Sequence, residues 1–330
     1  MNPIVGLHHV TAIASNPQQN LDFYTEVLGL RLVKRTVNFD DPGTYHFYFG
    51  DDTGTPGTIL TFFPWPHARR GTPGAGEVSH TAFSIPAGSV EYWHERLTQK
   101  GVLVERTGKR FGGREEVLTL ADPDGMKLEL VAYMDVPELT PARYADVPAE
   151  HAIRGFFGVT MLHRELAPTE GALNLLGFVK VAEEGSRVRF RSPDGAVLGN
   201  QIDVVVDPNA GWGRPGAGSV HHIAFRNQDD AAQAEWHEKV APHLGVTPVQ
   251  DRQYFHSIYF REPGGVLFEM ATDTPGFLYD EPVESLGEAL KLPTWVEPQR
   301  ALIEARVLPI TMSQSSAQLN AASKKEEVQV

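Results

Sequence analysis

Residues 74–83 read GAGEVSHTAF, residues 216–225 read GAGSVHHIAF, and this echo decides the fold. The two stretches lie about 140 residues apart, the mark of an internal duplication. A helix-like run follows each. The first spans 90–100, with Tyr92, Trp93 and Leu97 on one side; the second spans 231–244, with Trp236, Val240 and Leu244 in register. Each copy closes on the same device, LADPDGMKLELVAY at 120–133 and FREPGGVLFEMATD at 260–273. Pro-Asp-Gly and Pro-Gly-Gly mark turns between strands.

A second pair precedes these two. GLHHVTAI starts at Gly6 and GFFGVTML at Gly155, and each leads into a helical stretch, 20–28 and 169–176. Both stretches end before a glycine, Gly29 and Gly177, placed where a helix C-terminus favours one. Strands are expected at 45–50 with 58–63, and at 188–192 with 198–206. The chain thus reads as four βαβββ modules at 5–65, 76–134, 154–207 and 218–273. The expected class is α+β, with the modules paired into two domains that carry cupped mixed sheets. Pro137, Pro141 and Pro148 break regular structure between the halves. An N-terminal half, 1–140, would hold modules one and two, and a C-terminal half, 150–275, modules three and four. Residues 276–310 form an appendage with a short amphipathic helix at 298–306. Residues 311–330, polar and with little to bury, read as a mobile tail.

Composition bounds the chemistry. The chain has 330 residues, 41% hydrophobic and 22% charged, enough for two cored domains. It has no cysteine, so disulfides, thiolate metal sites, iron–sulfur clusters and cysteine nucleophiles are excluded. Any metal must rest on Asp, Glu or the 13 histidines. Against 29 basic residues stand 42 acidic ones, a net −13, which disfavours a nucleic-acid partner. No apolar run reaches the roughly 20 residues of a membrane span, and no secretory signal opens the chain. A cytoplasmic protein is expected.

Two histidine doublets sit on first strands of their modules, His8-His9 and His221-His222. Strand alternation puts His9 with Leu7 and Thr11, and His222 with Val220 and Ala224. Glu269 lies inside the apolar VLFEMA, where a carboxylate is costly unless paired, hydrogen-bonded or metal-bound. Two histidines and one carboxylate converging in a cup, with open positions left, is the facial triad of non-haem Fe(II) oxygenases. His80 and Glu129 hold the matching positions of the other half, whereas Gly158 stands where module one has His9. One complete set can therefore be assembled, and His9 is in it. Its partners are either His80 and Glu129, or His222 and Glu269.

Beyond these residues, the chain resembles the vicinal oxygen chelate superfamily of paired βαβββ modules. Within it, the chain is similar to the ring-cleaving hydroquinone dioxygenases. The matching strings are LHHVT, LVKRTVNFDDPGTYHFYFGD, GTPGT, SVHHIAF, DRQYFHSIYFREPGGVLFE and ESLGEALKLP, which together span most of 6–293. The resemblance implies a metal between modules one and four, held by His9, His222 and Glu269. It implies Fe(II), with Mn(II) as the alternative. Nearby polar residues carried across are His8, Thr11, His221, Arg252 and Tyr259. Arg252 would stabilise developing negative charge, Tyr259 or a doublet histidine (His8, His221) would move protons, and Thr11 would meet the substrate. Tyr254 and Phe268 are candidates for the pocket wall.

The expected activity is Fe(II)-dependent ring cleavage of a para-diphenol by O2. The expected partners are a small aromatic substrate and O2, without nucleic acid or membrane, in a homodimer or higher homo-oligomer. The rivals are an extradiol catechol dioxygenase, a glyoxalase-type isomerase and a metal-free binder of an aromatic drug. The isomerases of this fold usually need a further carboxylate at the metal, and the module-one stretch 60–63 offers none.

Overall fold

The computed structural model describes residues 3–142, 146–192 and 198–312. Residues 313–330, most of the expected tail, lie outside the described residues. Module one comprises β1 (Leu7–Ala14), α1 (Pro17–Asp22), β2 (Arg31–Asn38), β3 (Asp41–Gly50) and β4 (Ile59–Pro64). Module two follows with β5 (Glu77–Pro86), α2 (Val90–Gln99), β6 (Val104–Arg110), β7 (Glu115–Ala121) and β8 (Lys127–Tyr133). Module three has β9 (Phe156–His163), α3 (Ala167–Leu175), β10 (Val179–Glu184), β11 (Arg187–Arg191) and β12 (Gln201–Val206). Module four has β13 (Val220–Asn227), α4 (Asp230–Val240), β14 (Gln250–Asp251), β15 (Phe255–Arg261) and β16 (Leu267–Pro275). The α+β class and the four-module count hold as read.

The strands form two eight-stranded sheets, ordered β14-β15-β16-β13-β1-β4-β3-β2 and β10-β11-β12-β9-β5-β8-β7-β6. Within each module the first strand runs parallel to the last. At each seam two first strands meet antiparallel, β1 with β13 and β5 with β9. Sheets therefore join module one to module four and module two to module three, across the halves of the chain rather than within them.

One side of each sheet carries the core. Val10 and Ala12 of β1 and Ile223 and Phe225 of β13 pack in the main cluster with Tyr24 behind α1 and Trp236 of α4. The first helix starts earlier than the periodicity suggests, because Asn16 caps it through a hydrogen bond from the Gln19 N–H and Pro17 opens its first turn. It then widens into a π-helical turn at Phe23–Val27 and stops at Gly29, whose φ is +69°.

The appendage is strapped to the sheet. Lys34 of β2 is fully buried, and its Nζ donates to Asp280 Oδ1 at 2.6 Å and to Glu281 Oε2. Arg31 donates to the Val283 carbonyl at 2.6 Å, and the Lys291 N–H donates to the Arg35 carbonyl at 2.9 Å. The last helix, α5 (Arg300–Glu304), covers Val37 through Ile303.

Candidate metal centre

Between the walls of the first sheet lies a cavity of about 440 Å³. The strands alternate so that Leu267 and Glu269 of β16 and Phe255 and Tyr259 of β15 line it. The intervening Phe268, Met270, Ile258 and Phe260 turn to the core. His9 and Thr11 come from β1, His46 and Tyr48 from β3, and His221 and His222 from β13.

His9, His222 and Glu269 meet on its floor. His222 Nε2 stands 2.8 Å from Glu269 Oε2, His9 Nε2 stands 3.3 Å from the same oxygen, and the two Nε2 atoms are 3.3 Å apart. All three residues are buried, Glu269 completely. Glu269 Oε1 accepts from the Ser257 hydroxyl at 2.5 Å, but Oε2 receives no well-directed hydrogen bond. An orphaned, buried carboxylate oxygen facing two imidazole nitrogens fits a divalent cation. Metal–nitrogen and metal–oxygen bonds of about 2.0–2.2 Å at right angles set ligand atoms about 3 Å apart. Burial opposes ionisation of Glu269, yet the imidazoles of His9 and His222 outweigh it and hold the carboxyl well below its usual range.

The doublets depart from simple alternation. The β1–β13 register slips by one residue between Leu7 and His9 and again between Thr11 and Ala12, so His8 and His221 are the extra residues of two bulges. Each bulge swings the first histidine back toward the second. His8 Nδ1 lies 2.9 Å from His9 Nδ1, and His221 Nδ1 lies 2.8 Å from His222 Nδ1. With Nε2 of each inner histidine aimed at the floor, its outer neighbour fixes the ring through Nδ1. Burial and then the adjacent imidazole lower both outer histidines, His221 to about 4. His221 lines the cavity, whereas His8 packs behind Phe255 with ring centroids 5.2 Å apart.

Arg252 and Tyr259 form the wall. Arg252 Nε donates to the Tyr259 phenol at 3.2 Å, and its Nη1 donates to Asp40 Oδ2 at 3.0 Å. Burial, then the Glu269 carboxylate, pushes the Tyr259 phenol well above its ordinary value against the pull of Arg252. Tyr259 therefore keeps its proton.

Two expected wall residues are elsewhere. Phe268 precedes Glu269, so alternation carries it to the opposite side, where it packs on Phe225 and Phe260. Tyr254 is buried behind the cavity, donating to Asp280 Oδ2 at 3.0 Å beneath Lys34. The aromatic wall comes instead from Phe255, Phe63, Trp65 and Phe39. His46 and Tyr48 were also missed, although the alternation of TYHFYF places both on one side of β3.

The matching positions of the second sheet are occupied differently. Glu129 is held by both terminal nitrogens of Arg110, at 2.6 and 2.7 Å, and His80 Nδ1 meets Ser79 Oγ at 3.1 Å. A Cβ on Gly158 would fall 2.0 Å from the Gln201 carbonyl oxygen, so no side chain fits there as packed. Among the described residues, His9, His222 and Glu269 are the one group arranged to hold a metal ion.

These features define a protein of paired βαβββ modules with a candidate metal site. The chain belongs to the glyoxalase/bleomycin resistance protein/dioxygenase superfamily, whose model matches residues 6–130. It is 48% identical over 307 residues to a Bacillus subtilis protein named "Putative ring-cleaving dioxygenase MhqO", covering 92% of this chain and 96% of that one. It is 35% identical over 303 residues to the chlorohydroquinone/hydroquinone 1,2-dioxygenase of Sphingobium indicum, covering 89% and 93%. The crystal structure of a "putative dioxygenase" from B. subtilis superposes with a TM-score of 0.89 at 48% identity, covering 94% of this chain and 99% of that one. Among the described residues, no helix is long and apolar enough to cross a membrane.

Proposed function

We propose that the protein is an Fe(II)-dependent dioxygenase that opens the ring of a para-diphenol with O2. The observation that carries this reading is the convergence of the His9, His222 and Glu269 donor atoms on the floor of an aromatic-walled cavity. Its volume of about 440 Å³ suits a single small ring. Likeness to the hydroquinone-cleaving relative supports the substrate class. Three protein donors leave positions open, and Fe(II) bound there would activate O2 and favour the phenolate form of the substrate. Mn(II) suits the same donors.

The protein's own groups do the rest. A catechol offers two adjacent hydroxyls, whereas a hydroquinone offers one at a time, so side chains must hold the ring and its far oxygen. Phe63, Trp65 and Phe255 give apolar faces, while Arg252 and Tyr259 present polar hydrogens from the wall. Arg252 supplies fixed positive charge where negative charge develops. Tyr259, kept neutral, can donate. The balance closes without a further reductant: two carbon–oxygen bonds form, the O–O bond and one ring carbon–carbon bond break, and the ring supplies all four electrons that O2 takes. A glyoxalase-type isomerase is less well served, since the β4 residue beside Thr11 is Thr61 rather than a carboxylate.

The test is anaerobic loading with Fe(II) or Mn(II), then oxygen uptake with hydroquinone, methylhydroquinone, chlorohydroquinone and catechol, with ¹⁸O2 labelling. Uptake with the para-diphenols and two labelled oxygens in the product are expected. Preference for catechol, or no uptake by the metal-loaded protein, would overturn the reading.

A further inference from the structure

A row of side chains crosses the sheet toward the metal centre. The register aligns Tyr48 with Thr61, Thr61 with Thr11, and Thr11 with His222. On this row Tyr48 OH lies 2.9 Å from His46 Nδ1, His46 Nε2 lies 2.8 Å from Thr61 Oγ1, and Thr61 Oγ1 lies 2.9 Å from Thr11 Oγ1. His46, Tyr48 and Thr11 line the cavity.

We propose that Tyr48 and His46 set the direction of this row, making the Thr11 hydroxyl a fixed hydrogen-bond donor to a phenolate oxygen of the ring substrate. The proposal rests on the ring-cleaving reading. Tyr48 is buried, and His46 Nδ1 is the hydrogen-bond partner of its hydroxyl among the described residues. A buried hydroxyl that only accepted would strand its hydrogen, so Tyr48 donates. His46 Nδ1 then accepts, and a neutral imidazole carries its hydrogen on Nε2. That hydrogen goes to Thr61, the Thr61 hydrogen goes to Thr11, and the Thr11 hydrogen is left for the cavity. Burial, with His9 and His222 nearby, lowers the His46 pKa well below its ordinary value and so keeps the ring neutral. Burial likewise keeps Tyr48 protonated. Run in reverse, the row would turn a lone pair of Thr11 on an anion. His46 and Tyr48 are positioning residues, and Thr11 is the group that touches substrate.

The test uses Fe(II)-loaded protein under argon, with 4-nitrophenol as the probe, because its phenolate is read by absorbance. Thr11→Val should weaken phenolate binding about tenfold or more, the usual cost of one hydrogen bond to a charged group. His46→Leu should do the same. His46→Gln should restore binding to within about threefold, because a carboxamide accepts from Tyr48 through its oxygen and donates to Thr61 through its nitrogen. Tyr48→Phe frees both tautomers of His46 and should cost about twofold. In a Thr11→Val background, His46→Leu should cost nothing further. Metal content and melting temperature are measured alongside. The proposal is overturned if His46→Leu binds the phenolate as wild type does. Additive effects of Thr11→Val and His46→Leu, or lost metal or fold in His46→Leu that Gln also fails to repair, would overturn it too. If wild-type protein binds no phenol and turns over no para-diphenol, the ring-cleaving reading itself fails. If it does both and is indifferent to His46, only this proposal fails.

Discussion

Glu269 concentrates the chemistry at the scale of a single residue. It is completely buried, its Oε1 is bound by Ser257, and its Oε2 has two imidazoles but no proper donor. Such a group is tolerable when a cation completes it. Replacing His222 by Ala removes one of the three proposed ligands, so bound metal and activity should both be lost, as metal analysis after desalting would check. Full metal content in that variant would place the centre elsewhere. Arg252 tests the wall instead of the floor. Arg252→Ala should leave metal stoichiometry intact and lower kcat/KM for hydroquinone about ten- to a hundredfold, the loss of one charge-assisted contact of roughly 1.5–3 kcal/mol. Equal activity would show that Asp40 and Tyr259 exhaust its role. The candidate ligands stood out because a carboxylate amid VLFEMA and a histidine doublet on a strand are anomalies in a sequence, while the choice of His222 and Glu269 over His80 and Glu129 came from the family resemblance. Their partners stood out less. A bulge is a slip of pairing between two strands, so no single strand's pattern announces that His8 turns back toward His9.

At the scale of elements, repetition carried most of the information. The GAG–HxAF strings, the helical runs and the Pro-Gly turns located all four modules, since each is a local signal. Phe268 was misjudged by setting aside the same alternation that placed Glu269. Tyr254 was misjudged because the residue it serves, Lys34, lies some 220 positions earlier. Lys34 is the hinge pin of the strap. Its amine is buried against Asp280 and Glu281, with side-chain exposures of 0%, 19% and 4%. Removing one partner of such a pair leaves the others uncompensated, typically at about 3–5 kcal/mol. Lys34→Met should therefore lower stability to urea by an amount of that order and raise protease sensitivity around 276–293. Unchanged unfolding would mean that the strap is held by its backbone contacts alone.

For the whole molecule, the two sheets differ in what fills their cups. In the second, Arg110 clamps Glu129, while Arg189 lies between Glu115 and Asp203 and over Phe111. The double change His80→Ala, Glu129→Ala should leave metal content unaltered while lowering the melting temperature. Loss of metal there would mean that the wrong cup was assigned. The sheets also communicate through Asp122, whose Oδ2 accepts from the Tyr24 hydroxyl of module one at 3.0 Å. Burial is the main cause that raises its pKa to about 6, partly opposed by the Met126 N–H, so the folded protein holds this proton more tightly than the unfolded chain does. The stability it lends is full below about pH 4 and is lost as pH rises to about 6, a change of roughly 3 kcal/mol. The stability difference between wild type and Asp122→Asn should follow that slope, and a flat difference between pH 4 and 7 would refute it.

The pairing of module one with module four has a consequence on the ribosome. His9 is made well before the rest of its sheet, since β13 and β16 end only at Asn227 and Pro275. At roughly 5–20 residues per second, the nascent chain spends on the order of 8–30 s with β4 complete and β13 unmade. Through that interval the seam edge of β1 is an unpaired strand edge, open to β-strand addition by other chains. Modules two and three, adjacent in sequence, can close their own sheet first. The nascent chain is therefore most exposed to aggregation at the strand that carries His9, and His9 can meet Glu269 only once module four is made.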